Sequence, residues 1–285
     1  MTKILSIFSQ KGGVGKTTVS VNLSAALSLI LTHRNPENPG RVLHIDLDEQ
    51  AQSVSVLAKI GKENGEEKPN GNLADVLMWN SYTPVSLLIR ESAIPLYGGR
   101  NLDYLPSNRK MMARVNSVLE NAGNEGLFRL SEILKPITHF YKFIVIDNPP
   151  SLNYLSLNSL IAATHVLLPT QLETPAVDGL VNTMQTIKRI QKTHNRKLKL
   201  LGILPNMCDF RLGGHKKMLA MMKEHYQDLV LPPICRRSEV TYATTKGLDI
   251  FSFRPPRSKE ELTSASLASK EFGVLANIVR KRMIK

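Results

Sequence analysis

Residues 9–18 read Ser-Gln-Lys-Gly-Gly-Val-Gly-Lys-Thr-Thr and directly follow an apolar run, Ile4–Phe8. The stretch ends as a phosphate-binding loop does, with Gly15-Lys16-Thr17. Glycines let backbone amides curl around phosphate oxygens, and a helix that starts here would direct its positive end at the same anion. One lysine is enough for such a loop, so the additional Lys11 requires an explanation of its own.

Further apolar runs resemble the one before this loop: Val42–Asp46, Phe143–Asp147, Val166–Pro169 and Leu200–Leu204. Such short runs are typical of central strands in a parallel sheet that is covered on both faces. Thr17–Leu31 and Asp178–Thr193 lie between them and carry apolar residues at helical spacing, which predicts amphipathic helices. We therefore predict an α/β fold for residues 1–285 as a single domain, with a mostly parallel twisted sheet, helices on both faces and ligands at the carboxyl ends of the strands.

The composition of the chain limits the classes of function and partner that are expected. The 285 residues include 37 Lys and Arg against 24 Asp and Glu, a formal net charge of +13, which favours a polyanionic partner. The sequence has neither an apolar run of the roughly 18 residues that a membrane span needs nor a signal peptide. Cys208 and Cys235 lie far apart and match no metal-binding spacing, so we interpret them as two free thiols in a reducing cytoplasm.

Three boxes of residues, in the expected order, resemble the ParA/MinD superfamily of dimeric ATPases. Lys11-Gly-Gly-Val-Gly-Lys-Thr-Thr18 resembles the deviant Walker A box, in which glutamine commonly precedes the first lysine. Asp46-Leu-Asp48-Glu-Gln50 resembles the second box, with Glu49 in place of proline. Asp147-Asn-Pro-Pro-Ser151 resembles the third, with Asn148 where cysteine is frequent. The resemblance covers most of residues 1–150 and implies a P-loop NTPase fold of the deviant Walker A type.

The resemblance implies ATP and Mg²⁺ as cofactors and a sandwich homodimer as the active form. The nucleotide-binding residues would be Gly12, Gly13, Val14, Gly15, Lys16, Thr17 and Thr18. Lys16 would neutralise the β- and γ-phosphates of the ATP in its own subunit. Lys11 would reach the ATP of the partner subunit, where a fixed cation offsets the charge that develops during phosphoryl transfer. This assignment gives each lysine a separate role.

Hydrolysis also needs a held metal and an aligned water. By resemblance, Thr17 contributes a hydroxyl to the Mg²⁺ shell, Asp147 acts on the metal through water, and Asp46 supports that shell. Asp48 would position the attacking water, which makes Lys11, Lys16 and Asp48 the expected catalytic set. For Asp46 alone, capping of a strand–helix turn is an alternative. Replacing proline, Glu49 would leave that turn less rigid.

Adenine and DNA contacts are expected in the second half of the chain. Asn206 stands where the family hydrogen-bonds the base, although asparagine after a strand is also a common turn residue. Basic residues are dense there, as in Lys188, Arg189, Lys192, Arg196, Lys197 and Lys199. ParA-like members bind nonspecific duplex DNA as ATP dimers, and Arg236 and Arg257 resemble arginines of that surface. The alternative is that these basic residues are merely scattered and solvated.

The resemblance thus implies a cytoplasmic, nucleoid-associated ATPase that partitions or positions a cargo. The cargo would be a plasmid, a chromosome region or a protein organelle, and an adaptor, ParB-like or equivalent, would stimulate slow hydrolysis. The main alternative is MinD-like membrane attachment through the apolar and basic segment Glu271–Ile284. A metabolic ligase on the same P-loop is disfavoured because no small-substrate pocket is recognisable. A metal-cluster carrier would need cysteines that are close together.

Overall fold

The computed structural model describes residues 1–58, 71–80, 83–92, 101–253 and 266–284, and these build one seven-stranded sheet. The strands are β1 (Lys3–Ile7), β2 (Arg41–Asp46), β3 (Arg90–Glu91), β4 (Leu102–Tyr104), β5 (Tyr141–Asp147), β6 (His165–Thr170) and β7 (Lys199–Pro205). Their order is β3-β4-β2-β5-β1-β6-β7. All neighbours run parallel except the short edge pair β3 and β4, which is antiparallel.

Helices cover both faces of this sheet. The bounds are α1 (Lys16–Arg34), α2 (Gln52–Leu57), α3 (Leu73–Leu77), α4 (Val85–Leu88), α5 (Arg109–Asn121), α6 (Asn124–Leu134), α7 (Tyr154–Ala162), α8 (Thr174–Thr193), α9 (Gly213–Tyr226), α10 (Ser238–Lys246) and α11 (Leu267–Ile284). Short 3₁₀ turns span Thr138–Phe140 and Gln227–Leu229. Helices α1, α2, α10 and α11 contribute to the core on one face, and α3 to α9 to the core on the other.

The five apolar runs form β1, β2, β5, β6 and β7, which confirms the predicted fold class. Neighbouring residues of a strand enter opposite cores, as Val42 and Leu43 do in β2. Both residues are fully buried. Because both faces of the strand are covered, its sequence is apolar at successive positions instead of alternating with polar residues.

Helix α1 differs from the predicted amphipathic helix. It begins one residue earlier and ends three residues later than Thr17–Leu31, and every residue from Val19 to Ser28 is buried. The reason is α11, which packs on α1, so that α1 lies between the sheet and a second helix. A helix that is enclosed on all sides needs no polar face, and the buried polar residues of this stretch carry no charge: Ser20, Asn22, Ser24 and Ser28.

The carboxyl ends of the central strands bring the three boxes together. The glycine loop follows β1, Asp46 ends β2 and Asp147 ends β5. In the parallel register Asp147 lies opposite both Asp46 and Ile7. The candidate site therefore lies at the sheet edge where doubly wound folds bind ligands.

Candidate nucleotide-binding site

The loop between β1 and α1 adopts a conformation that requires glycine at two positions. Gly13 and Gly15 have φ angles of 74° and 81°, in the left-handed region. A Cβ on Gly15 would also lie 2.5 Å from the Asn206 side-chain nitrogen. Gly12 and the buried Val14 complete the turn. The loop thus leads directly into the N-terminus of α1, where backbone amides and the helix dipole favour an anion.

Lys16, the first residue of α1, is only 6% exposed. Its Nζ donates a hydrogen bond to the backbone carbonyl of Lys11 at 3.4 Å. Burial lowers the pKa of Lys16, and the nearby Asp147 and Asp48 carboxylates oppose that shift. A buried ammonium group with only a weak carbonyl partner is suited to neutralising a phosphate that enters the loop.

Asp46 and Asp147 form a fully buried pair of carboxyl groups at adjacent strand ends. Burial raises the pKa of Asp46 to about 6. Burial and then the neighbouring Asp46 raise the pKa of Asp147 well above its usual range, whereas Thr17 and Lys16 act in the opposite direction. Two such groups repel each other when both are ionised, and a divalent cation would relieve that repulsion.

The donors present fit Mg²⁺. Asp147 Oδ2 is buried without a hydrogen-bond partner in the described part of the chain. Thr17 lies beside this carboxyl group and favours its charged form. Hard oxygen donors of this kind are the ligands that Mg²⁺ prefers, usually with several waters retained. The orphaned oxygen is therefore explained if a hydrated cation occupies this place.

The Asp46 side chain braces the loop that follows β2. Its Oδ1 accepts a hydrogen bond from the Asp48 amide at 2.9 Å. Its Oδ2 accepts from the Ser53 amide and hydroxyl at 3.0 and 2.7 Å. The capping role that was considered for Asp46 is thus present in the structure, and its support of the metal shell stays a prediction. These bonds hold the turn that lacks the family's proline at Glu49.

Asp48 projects from this braced turn and is half-buried. Its Oδ1 accepts a hydrogen bond from the Gln50 amide at 2.9 Å. The carboxylate lies near enough to Lys16 to raise that residue's pKa, against the effect of burial. Asp48 therefore lies in the region where a water could be aligned with a terminal phosphate, although its catalytic role stays a prediction.

Sequence reasoning missed a polar network beneath this turn. His44 is fully buried in β2, and its Nε2 and Nδ1 lie 2.8 and 3.0 Å from the hydroxyls of Ser53 and Ser24. Burial lowers the pKa of His44 to about 3, so the ring is neutral. Through Ser53 the ring supports Asp46 and connects the acidic turn to α1. A histidine inside an apolar strand was the only sequence signal, because the partner serines become neighbours only in the fold.

The Lys11 side chain pairs with a residue outside the glycine loop of its own subunit. Its Nζ lies 3.3 Å from Glu173 Oε2, and the two side chains are 32% and 51% exposed. Exposed ion pairs contribute only about 0–1 kcal/mol, so Lys11 can leave Glu173 at little cost. Glu173 is a partner that the sequence did not indicate. The two lysines therefore differ in the structure, since one is buried under the loop and the other lies at its exposed rim.

Asn206 and a neighbouring cavity mark the base end of the site. The Asn206 side chain is 3% exposed and donates a hydrogen bond to the Val14 carbonyl at 2.8 Å. A cavity of about 470 Å³ extends beyond it, lined in part by Thr18, Met207, Cys235 and Arg236. Its place beside α1 suits the base of a nucleotide whose phosphates lie in the loop. The adenine contact of Asn206 stays a prediction.

Asn148 has a structural role where the family often has cysteine. The side chain is fully buried, and its Nδ2 donates to Ser6 Oγ at 3.0 Å and to the Ile7 carbonyl at 2.9 Å. These bonds join the end of β1 to the residue after β5. The substitution therefore keeps the glycine loop and the Asp147 strand in fixed relation.

Known proteins resemble the chain over most of its length. A family model described as an AAA domain matches residues 2–200. An uncharacterised protein of Pseudomonas putida is 37% identical over 84% of each chain. The chromosome partitioning protein ParA of Myxococcus xanthus is 31% identical over 83% of this chain and 76% of its own. This chain belongs to the ParA-like ATPases of the ParA/MinD superfamily.

A solved structure of different activity shares the ParA-like fold. Cobyrinic acid a,c-diamide synthase from Mycobacterium smegmatis, solved with bound ADP and magnesium, has a TM-score of 0.72 and 27% identity. It covers 97% of this chain and 93% of its own. A common fold does not decide between a ligase and a partition protein. The sequence relatives assign this chain to the ParA-like side.

Several basic residues of this ParA-like chain are held within its own fold. Arg237 pairs with Glu271 at 2.6 Å, and Arg211 pairs with Asp209 at 2.6 Å. Arg282 donates to two backbone carbonyls. The basic residues between Lys188 and Lys199 are instead exposed: Lys188, Arg189, Lys192, Arg196, Lys197 and Lys199. Arg236 is exposed as well, whereas Arg257 lies outside the described residues, and DNA contacts stay predictions for both.

The apolar face of α11 is not free in this ParA-like fold. Phe272, Leu275, Val279 and Met283 are at most 1% exposed and belong to the core that α1 shares. None of the described helices combines the length and the apolar character that crossing a membrane demands. Lipid insertion would require α11 to leave the domain, so the structure disfavours the MinD-like alternative.

Proposed function

We propose that this chain is an ATP-dependent, dimerising and DNA-binding ATPase that partitions or positions a cargo. The observation that carries the proposal is the division between the two lysines of the loop. Lys16 is buried in its own site, whereas Lys11 lies at the exposed rim, where its ammonium group pairs with Glu173. The likeness to the chromosome partitioning protein ParA supports this interpretation.

ATP and Mg²⁺ are the cofactors that fit the site best. The loop amides and Lys16 would hold the phosphates, and the bound Mg²⁺ would offset negative charge on the β- and γ-oxygens. Thr17 and Asp147 would hold that ion, with Asp46 fixing the neighbouring turn. Asp48 would then hold a water in line with the γ-phosphate. Asn206 and the adjacent cavity would receive adenine.

The proposed homodimer accounts for Lys11. When two subunits face each other with ATP between them, Lys11 exchanges its weak pairing with Glu173 for the phosphates of the partner's ATP. The γ-phosphate adds negative charge that ADP lacks, so the exchange is most favourable when ATP is present. Lys11 would thus be the side chain that senses nucleotide in the opposite subunit.

The ATP dimer would bind duplex DNA through its phosphates, with Arg236, Arg257 and the exposed basic residues after α8 as candidates. Such binding is independent of sequence and falls steeply with salt. Hydrolysis, slow by itself and stimulated by a cargo adaptor, would release the DNA. The chain would accordingly lie in the cytoplasm on the nucleoid and move a plasmid, a chromosome region or a protein organelle.

Co-sedimentation tests this proposal. The purified chain is mixed with nonspecific duplex DNA or with anionic liposomes, with Mg²⁺ and either ATP or ADP, at low and moderate salt. We expect sedimentation with DNA only in ATP, lost at moderate salt, and none with liposomes. Lys16→Ala serves as the control that loses every nucleotide-dependent difference. Sedimentation with liposomes but not with DNA would contradict the proposal and favour a MinD-like function.

A further inference from the structure

The fold places the two cysteines directly opposite each other, although the sequence suggested separate thiols. Cys208 lies just after β7, and Cys235 lies shortly before α10. The Cys208 amide donates to the Ile234 carbonyl at 3.0 Å, and the Arg236 amide donates to the Cys208 carbonyl at 2.8 Å. These two bonds make Cys208 and Cys235 partners in an isolated parallel bridge. Both are free thiols in this structure.

This arrangement suits a disulfide. Paired strands lie about 4.8 Å apart, within the range of about 4.4–6.8 Å between the Cα atoms of disulfide-bonded cysteines. Side chains that are directly opposite in a ladder point to the same face, so neither segment would have to rotate. The thiols also lie near enough to interact, since burial and then the Cys235 thiol raise the pKa of Cys208 to about 12.

Access to the pair is asymmetric. Cys208 is 1% exposed, whereas Cys235 is half-buried and lines the 470 Å³ cavity beside Asn206. Both cysteines also line a second cavity of about 720 Å³, together with Asp209, Arg211 and Arg236 among others. A small oxidant can therefore reach Cys235, and Cys208 lies behind it as the resolving thiol.

We propose that Cys208 and Cys235 form a dithiol in the wall of the nucleotide cavity, shielded by bound nucleotide and closed by oxidation into a disulfide. The shielding rests on the proposed ATP site. Hydrogen peroxide first oxidises the Cys235 thiol to a sulfenic acid and releases one water. The Cys208 thiol then attacks the Cys235 sulfur, and the hydroxyl leaves with the thiol proton as a second water. Burial raises the pKa of both thiols, so oxidation is faster at alkaline pH.

The disulfide would restrain the base end of the site. Asn206 begins the segment after β7, and one N–H of its side-chain amide is bound to the Val14 carbonyl, which leaves Oδ1 and the second N–H for adenine. A covalent bond from Cys208 to Cys235 joins that segment to the opposite cavity wall. We therefore expect the oxidised chain to bind Mg·ADP several-fold more weakly than the reduced chain, with recovery after reduction.

Peptide mapping and calorimetry test this inference. For the peptide map, the reduced chain is treated with hydrogen peroxide in the presence or absence of Mg·ADP and is then digested without reductant. For calorimetry, Mg·ADP is titrated into the reduced chain, the oxidised chain and the chain that has been reduced again. We expect one intramolecular peptide pair joining Cys208 to Cys235, slower formation with ADP, and the weaker, reversible binding. Cys208→Ser and Cys235→Ser, close in size to the native residue, should each form no such pair, and Cys235→Ser should have the same affinity before and after peroxide.

Three results would overturn the inference. The first is over-oxidation of Cys235 while the Cys208 thiol stays intact. The second is the formation of disulfides between chains only. The third is a Cys208–Cys235 disulfide that leaves the ADP affinity unchanged and that forms at the same rate with and without ADP. The reduced chain separates this inference from the proposed function. If the reduced chain does not bind Mg·ADP at all, the nucleotide site is wrong, while the peptide map still decides whether the dithiol closes.

Discussion

At the scale of single residues, Asp48 carries the proposed hydrolytic step. Asp48→Ala leaves Lys16, the loop and Asp147 in place, so ATP binding and dimerisation should persist. Turnover should fall by about 10²-fold or more, since an aligned water contributes at least that much. DNA binding in ATP should then no longer decay. Phosphate release and DNA co-sedimentation measure the two effects, and rapid turnover in this variant would refute the role.

A matched variant separates chemistry from support of the turn. Asp48→Asn keeps an oxygen that can accept the hydrogen bond from the Gln50 amide, but it removes the negative charge. Loss of turnover in both variants would assign the effect to the carboxylate charge. Wild-type turnover in Asp48→Asn would show that Asp48 only braces the loop.

His165 predicts a pH dependence of stability. It is 4% exposed at the start of β6, and burial, followed by Lys3 and Lys199, lowers its pKa from 6.5 to about 4. Between these two pH values the unfolded chain binds a proton at His165 that the folded chain does not bind. The free energy of unfolding therefore decreases as the pH falls below 6.5. His165 contributes up to about 1.4 kcal/mol per pH unit to this decrease in the free energy of unfolding.

Urea unfolding between pH 7 and pH 4 measures this effect. His165→Gln should lose less stability on acidification than the wild type does, whereas the exposed His225→Gln should follow the wild type. The buried Asp46 and Asp147 act in the opposite direction, but all three proteins share them, so their contribution cancels. Parallel curves for His165→Gln and the wild type would contradict the assignment.

At the scale of elements, the packing of α11 makes a quantitative prediction. Phe272 is fully buried, whereas Val274 on the same helix is 50% exposed. Phe272→Ala should lower the free energy of unfolding by about 3–5 kcal/mol, and Val274→Ala should change it by less than about 0.5 kcal/mol. Urea unfolding followed by circular dichroism compares them. Equal stability of the two variants would mean that α11 does not pack on α1 in solution.

The central strands were predictable because they are buried on both faces, so each is a short apolar run, and three of these runs lead into candidate site residues. β3 and β4 have two and three residues, too few for a sequence pattern. They depend on contacts made only in the fold, such as the ion pair of Arg41 with Asp103 at 2.7 Å. The enclosed character of α1 was missed for a similar reason, since it depends on α11, which is distant in sequence.

The residues of the candidate site likewise include some that the sequence predicts and others that become neighbours only in the fold. The glycine loop and the aspartate boxes are local motifs, so their residues could be listed before their positions were known. Glu173 beside Lys11, Ser24 beside His44 and the opposed pair of cysteines depend on contacts between distant segments. No periodicity marks such pairs. The cysteine pair, for example, forms where the segment after β7 runs beside the segment before α10.

At the scale of the whole molecule, the central claim is that each Lys11 serves the ATP of the other subunit. This is a statement about a symmetric dimer, so no variant of one residue alone can decide it. A dimer that combines two different inactive variants can decide it. Lys11→Ala keeps its own Asp48, and Asp48→Ala keeps the Lys11 that it would lend to its partner.

The decisive measurement is ATP turnover of an equimolar mixture of Lys11→Ala and Asp48→Ala, compared with each variant alone. Random pairing gives mixed dimers in half of the cases, each with one complete site if Lys11 acts across the interface. We therefore predict that the mixture recovers about a quarter of wild-type turnover although both variants are inactive alone. If Lys11 serves its own nucleotide, neither site of a mixed dimer is complete, and a mixture as inactive as its components would contradict the account.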